Sequence, residues 1–396
     1  MALRILSSFF WSTGLIFLAF GLVNGLSGCH SSSELTVAPT PTPPAAVTAT
    51  TPPAVTLTAP LVYVASFDNK LYALDTATGT QRWVFEADTS IQSSPVVAYG
   101  MVYVGSNDYN LYAIDATTGQ QRWAFKTGNI VYSSPVVVNG IVYVGSQDGK
   151  LYAIDATIGN ILWVFTFGGS FGFYSSPVVA NGMVYIGGQD NQIYAIDASR
   201  GTLRWRYSAQ YYILSSPTVA NGVVYIGSQD GRLYAIDAMT GRGRWAFKAG
   251  GAIDSSPVVA NGIVYVGSAD TQLYALDAAT GVQRWKLGTN GVIYSSPVVA
   301  NGVVYVGSRD HRLYAVDAAT GRPRWAYTTD FDIYSTPLVA NGVVYVGSND
   351  YNLYALDAAT GRKRWTFKTG GVVVSSPVVA QKSVVQGTYP TVSGGK

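Results

Sequence analysis

The chain has 396 residues, of which 48% are hydrophobic, 13% aromatic and only 12% charged, and its formal net charge is +3. That charge excludes an electrostatic case for nucleic acid as a partner, and the scarcity of charged residues fits buried faces and few long helices. Cys29 is the only cysteine and His30 and His311 are the only histidines, which rules out an internal disulfide and a multi-histidine metal site.

Residues 1–28 read as a secretory signal peptide. Arg4 supplies a short positive start, and residues 9–26 form an apolar run broken by Gly14, Gly21 and Gly25. The run ends in Leu26-Ser27-Gly28-Cys29, which resembles a bacterial lipobox. The resemblance implies cleavage before Cys29 and acylation of its thiol and amine, and several acyl chains on one residue anchor stably. His30 stands where an aspartate would signal inner-membrane retention, so the expected address is the outer membrane or outer cell surface. Residues 29–60 shift to Ser, Thr, Pro and Ala, as in TPTPPAAVTATTPP. Prolines hold such a segment near polyproline II. It reads as a tether that reaches about 90 Å when extended, at roughly 3.1 Å per residue.

From Leu61 the sequence repeats with a period of 40; the copy at residues 223–262 reads VVYIGSQDGRLYAIDAMTGRGRWAFKAGGAIDSSPVVANG. Eight tryptophans mark the copies: Trp83, Trp123, Trp163, Trp205, Trp245, Trp285, Trp325 and Trp365, with one two-residue insertion near residues 168–173. A period of this length means a solenoid or a propeller. Each copy holds four strand signals. SSPVVA is followed by an Asn-Gly hairpin, VVYIGS by a turn such as QDG, LYAID by a Thr-Gly turn, and RWAF completes the set. Strands apolar on both faces imply sheets buried on both faces. The predicted fold is therefore all-β: an eight-bladed β-propeller of four-stranded antiparallel blades over residues 61–382. The chain enters at the second strand of a unit and ends with a spare first strand, SSPVVA, which should pair in the first blade and close the ring. Residues 383–396 are left as a tail.

Ala235, Asp237, Thr240, Gly241 and Trp245 set out the pattern A-x-D-x-x-T-G-x-x-x-W. It resembles the tryptophan-docking motif of pyrroloquinoline-quinone-type (PQQ-like) propeller repeats, and it recurs over nearly the whole of residues 61–380. In physical terms the aspartate accepts hydrogen bonds from the turn that follows, and the indole fills the gap against the neighbouring blade.

Sixteen of the 22 acidic residues occupy two repeated turn positions, exemplified by Asp230 and Asp237. They read as hairpin caps rather than a metal collar, and SSPVVANG likewise reads as a building part. Residues that break the repeat are the candidates for function. The connection from the fourth strand to the next blade emerges on the same rim as the turn after the second strand, whereas the Asn-Gly and Thr-Gly turns of the opposite rim hardly vary. The variable rim collects Phe67, Tyr109, His311 and Tyr351 from hairpins. The crossing loops add Glu86, Asp88, Tyr132, Phe171, Phe173, Tyr174, Tyr211, Tyr212, Asp254, Tyr294, Asp330, Phe331, Asp332 and Tyr334. Exposed aromatics beside a few charges suggest a recognition surface; packing of the loops at the channel mouth is the structural alternative. Basic residues such as Arg322, Arg324, Arg362, Lys363 and Arg364 gather in the later copies and read as a solvated rim, with anionic lipid or glycan contact as the alternative.

The repeat family contains quinoprotein dehydrogenases, and the resemblance implies a quinone and a calcium ion held by glutamate and asparagine, an aspartate base and an adjacent-cysteine disulfide. Glu34 lies in the tether, which leaves Glu86 as the sole glutamate counterpart, and the disulfide is impossible. PQQ and calcium are therefore not expected. A Ser/His/Asp triad would have to use His311, for which the sequence shows no orienting partner. Asp330-Phe331-Asp332 offers a weak acid/base pair. The chain is more similar to the lipoprotein subunit of the outer-membrane β-barrel assembly machine, with more uniform copies and a longer tether. That resemblance implies a monomeric, non-catalytic propeller that binds protein partners at the envelope and meets the membrane through acyl chains. A quinoprotein or a surface ligand-binding sensor is the alternative.

Overall fold

The computed structural model describes residues 60–167 and 172–380. They hold thirty-two strands, numbered β1–β32 in chain order, with no helix among them, arranged as eight four-stranded antiparallel sheets. The second blade shows the plan: β4 (Val96–Ala98), β5 (Met101–Gly105), β6 (Asn110–Asp115) and β7 (Gln121–Lys126) lie side by side in chain order. The short first strands of successive blades touch one another and so surround the axis. Only Val-Val-Ala of the SSPVVA segment pairs as a strand. Proline has no N–H for the ladder, and the two serines are engaged elsewhere.

Ring closure follows the expected route. The first blade combines β1 (Leu61–Ala65), β2 (Lys70–Asp75) and β3 (Gln81–Glu86) with β32 (Val378–Ala380) from the far end of the domain. Tyr63 lies opposite Val378, and Leu61 opposite Ala380. The second and third strands of every blade are almost wholly buried, while the outermost strands alternate, as sheets stacked face to face require. Each apolar cluster spans two blades; one joins Tyr63 and Ala73 to Val102, Val104 and Ile114.

The tryptophans lock these interfaces. Trp245 donates its indole N–H to the Ala278 carbonyl of the next blade at 3.1 Å, and Tyr225 donates to the same oxygen at 2.8 Å. The indole lies flat on the Thr-Gly turn, at Gly281, whose φ is +74°. Trp365 makes the same bond to Thr76 across the closing junction. The turn itself is capped by Asp237, whose Oδ1 accepts from the N–H groups of Met239 and Thr240 and whose Oδ2 accepts from Arg244 Nη2 at 2.7 Å. The guanidinium, with the turn hydrogen bonds, holds this carboxyl well below the usual carboxylate range.

Both serines of Ser-Ser-Pro tie blades together. The second links neighbours around the axis: Ser94 N–H donates to Ser134 Oγ, Ser134 N–H to Ser176 Oγ, and the series runs on to Ser296; Thr336, which stands in place of this serine in one copy, donates its N–H to Ser376 Oγ, and Ser376 N–H returns to Ser94 Oγ at 2.8 Å. The first bridges strand to neighbour: Ser295 Oγ accepts from Gly307 N–H and donates to the Ser335 carbonyl. SSPVVANG recurs because every junction of the ring uses it.

Candidate functional site: the variable rim

Crossing loops and second-to-third-strand hairpins share one rim because the repeat aspartates there bind both, at seven positions among the described residues. Asp148 Oδ1 accepts from Lys150 N–H within its own hairpin, and its Oδ2 accepts from Gly128 N–H of the incoming loop at 2.7 Å. Gly370 N–H makes the corresponding bond to Asp68 at the closing junction. On the opposite rim the Thr-Gly turn contacts the Asn-Gly turn, with Ala238 N–H donating to the Gly222 carbonyl.

Of the residues singled out in the sequence, Glu86, Asp88, Tyr109, Tyr174, Tyr211, Asp330, Phe331 and Tyr351 are exposed on this rim. Phe67, Tyr132, Tyr212, Asp254, Tyr294, His311, Asp332 and Tyr334 are half-buried. Phe173 is a correction: it is fully buried, not part of a recognition surface. It fills the slot beside Gly145 that Ile213 and Ile253 fill beside Gly187 and Gly227, and it packs edge-on against Phe167. Glu86 is the last residue of β3 rather than part of a loop. Phe171, Cys29, residues 1–28, the rest of the tether and residues 383–396 lie outside the described residues.

One hairpin position carries unusual backbone geometry. The residue after the repeat aspartate has positive φ in every described copy of this turn, and Gly149 and Gly231 meet that need without strain. Tyr109, His311 and Tyr351 adopt φ of 77°, 68° and 73° at the same position. A bulky L-residue there costs about 1–2 kcal/mol. The rings of Tyr109 and Tyr351 are nevertheless exposed, at 40% and 44%, so burial does not offset the strain.

Side chains from different blades meet around the channel mouth. Arg309 Nε donates to Asp332 Oδ2 at 2.8 Å, and its guanidinium lies 5.7 Å from the centre of the Tyr334 ring. Tyr334 stacks on Tyr294 with centroids 5.6 Å apart, and Tyr132 stacks on Tyr174 at 4.5 Å. His311 does have a carboxylate beside it, contrary to the sequence expectation: its Nε2 is 3.3 Å from Asp332 Oδ1. No hydroxyl bonds to that imidazole among the described residues, so the contact is not part of a triad. Arg309 was not singled out in the sequence. It occupies the middle of Ser-x-Asp, which also holds Phe67, Asn107, Gln147, Gln229 and Asn349; variation beside an aspartate common to all copies was the available signal. Side-chain atoms of Asn107, Gln147, Asn349 and Asp254 are buried here without a protein hydrogen-bond partner.

Comparison with known proteins accords with this architecture. A family model described as "Beta-alanine-activating enzyme, beta-propeller" matches residues 46–261, more than half of the chain. The chain belongs to this β-propeller family. A second model, described as "Outer membrane protein assembly factor BamB", matches residues 288–394, in keeping with PQQ-like repeats. BamB from Moraxella catarrhalis superposes with a TM-score of 0.66 at 20% identity, covering 75% of this chain and 93% of that one. The computationally designed Ika8 protein gives 0.65 at 19% identity, covering 72% and 90%. A europium-containing methanol dehydrogenase gives 0.65 at 15% identity, covering 74% and 81%. At these identities the likeness is one of fold. No curated protein matches the chain.

Within this propeller Asp254 is the outlying titratable group. Burial pushes its carboxyl up to about 6, and its one side-chain partner is Gln229 Nε2, at 3.4 Å. Because its folded-state value is raised above the unfolded one, the stability this group contributes is fully present below about pH 4 and is lost as pH rises through about 6. Asp254→Asn should therefore stabilise the protein at pH 7 by about 1–3 kcal/mol and remove that decline, as read by urea unfolding at pH 4, 5, 6 and 7. Equal pH profiles for both proteins would show that the charge is not destabilising.

Proposed function

We propose that this propeller is a non-catalytic scaffold at the cell envelope, exported and held by acylated Cys29, that presents its variable rim to a protein partner. The observation that carries the reading is the strained hairpin position. Tyr109 and Tyr351 sit where glycine would be more stable, and strain kept at exposed side chains marks sites retained for what they contact. Tyrosine and arginine are also the side chains that most often anchor protein interfaces, and Arg309, Tyr334 and Phe331 lie on the same rim. Similarity to BamB, an outer-membrane protein assembly factor by its printed description, extends the proposal to partners in outer-membrane protein assembly.

A methanol dehydrogenase shares the fold, yet the residues here do not fit a quinone held with calcium. Calcium takes six to eight oxygen ligands. Among the described residues no three acidic, histidine or cysteine side chains converge. Glu86, the only glutamate of the propeller, is exposed at the end of an outermost strand. A small-ligand sensor is a second reading, favoured by the unpartnered polar atoms of Asn107, Gln147, Asp254 and Asn349 at the channel mouth.

The scaffold reading makes a paired prediction. Tyr109→Gly and Tyr351→Gly should each leave stability unchanged or raise it by up to about 1 kcal/mol, while weakening capture of the envelope partner at least roughly tenfold. Thermal unfolding and affinity capture from native membranes, read by mass spectrometry, measure the two effects. Capture that survives both substitutions, together with Phe331→Ala, overturns the assignment of this rim.

A further inference from the structure

We propose that the opposite rim, formed by the Asn-Gly and Thr-Gly turns, docks on an anionic phospholipid surface. The charges of the propeller divide between its two rims. By strand topology, the turn rim carries twelve lysines and arginines against eight aspartates, and the variable rim eight against thirteen acidic residues; Arg206 and Lys286 lie between, on outermost strands. Seven of the turn-rim aspartates are paired with the arginine of the adjoining strand, as Asp277 is with Arg284 at 2.6 Å. The excess charge therefore rests on Arg242, Arg322, Arg362 and Lys363, all exposed at or beside turn tips, while Arg200 lies 3.9 Å from Asp197.

Apolar side chains stand among these cations. Met239 is 86% exposed, Val282 64% and Ile158 60%, each at the turn after a third strand, and Ile161 and Leu203 are exposed one step further along the chain. The repeat offers no structural reason for them, since the first two blades place Ala77 and Thr117 where Met239 stands, Thr78 and Thr118 where Ile158 stands, and Thr80 and Gln120 where Val282 stands. The Thr-Gly rim therefore varies more than the sequence reading expected. Single apolar tips interleaved with arginines differ from the contiguous, charge-depleted centre of a protein interface. They suit a bilayer surface, where cations meet phosphate headgroups and apolar tips reach the acyl boundary.

Chain direction agrees. Thr76 N–H donates to the Pro60 carbonyl beside the first Thr-Gly turn, and Ala380 lies opposite Leu61, so both flanking segments join the propeller at this rim. A membrane contact here leaves the variable rim free for a partner.

The test uses the full chain carrying Cys29→Ser, with an environment-sensitive dye placed through Met239→Cys or, on the other rim, Tyr351→Cys. Vesicles of phosphatidylcholine with one quarter phosphatidylglycerol should shift the emission of the dye at position 239 to the blue. High salt should reverse the shift, and position 351 should not respond. Joint Arg242→Glu, Arg322→Glu and Arg362→Glu should raise the anionic lipid needed for half of the shift at least roughly tenfold. The proposal is overturned by no shift, by an equal shift at position 351, or by an equal shift with pure phosphatidylcholine. A shift without vesicles that grows with protein concentration would identify a second copy as the occupant and overturn it equally. Partner capture at the variable rim does not enter this readout, so either proposal can fail alone.

Discussion

Deleting residues 375–396 lowers the unfolding free energy by at least about 4 kcal/mol and splits the single transition into broader ones. The deletion removes β32, and with it the inner strand of the first blade. Ala380 is buried, and Val378 and Val379 pack against the clusters of two blades; losing that apolar contact costs about 2–3 kcal/mol. Ser375 Oγ, which accepts from Ala65 N–H and donates to the Ala65 carbonyl, is also lost, and so is the Ser376 link around the axis. At about 1 kcal/mol each these bonds add a comparable amount, and β1 is left with a bare edge. Urea unfolding followed by fluorescence of the eight interface tryptophans measures the effect, with deletion of residues 383–396 alone as the control. A ring that unfolds at the same urea concentration after the longer deletion would mean that closure rests on something other than this strand.

Gly281→Ala and Gly262→Ala, two substitutions at glycines of nearly equal φ, should differ by about 1–3 kcal/mol. Gly281 has φ of +74° and Gly262 of +72°, so both lose about 1 kcal/mol to left-handed strain. A Cβ on Gly262 meets nothing within 4 Å, whereas one on Gly281 would lie 2.7 Å from Trp245 Cδ2. The indole cannot retreat without breaking its bond to Ala278, and overpacking of this kind adds about 1–3 kcal/mol. Chemical denaturation of the two variants gives the comparison. Equal destabilisation would show that the Thr-Gly glycine is kept for its backbone alone and not for the docked tryptophan.

The fold was legible because its signals are local. Asn-Gly at residues 181–182 has φ of 51° and 71°, as the hairpin demands, and Val-Val-Tyr strands bury as their alternation-free pattern predicts. The site was less legible. Phe173 and Tyr174 are adjacent and both aromatic, yet one is fully buried and the other exposed. The difference is that Gly145, 28 positions earlier in the chain, opens a slot for the first. Asp332 and Arg309 are 23 residues apart and lie on different blades, and only the ring geometry shows that they pair.

The sequence by itself determined the number of blades, the order of strands, the turns and the strand that closes the ring. Those features depend on side-chain alternation and on φ at single residues, which each 40-residue copy carries within itself. The tertiary structure alone decided which aromatics reach solvent, that the Asp254 carboxyl is buried, that serines from separate copies bond to one another around the axis, and that unlike charge collects on the two rims. These depend on atoms contributed by separate blades, and their distances exist only after the ring has closed.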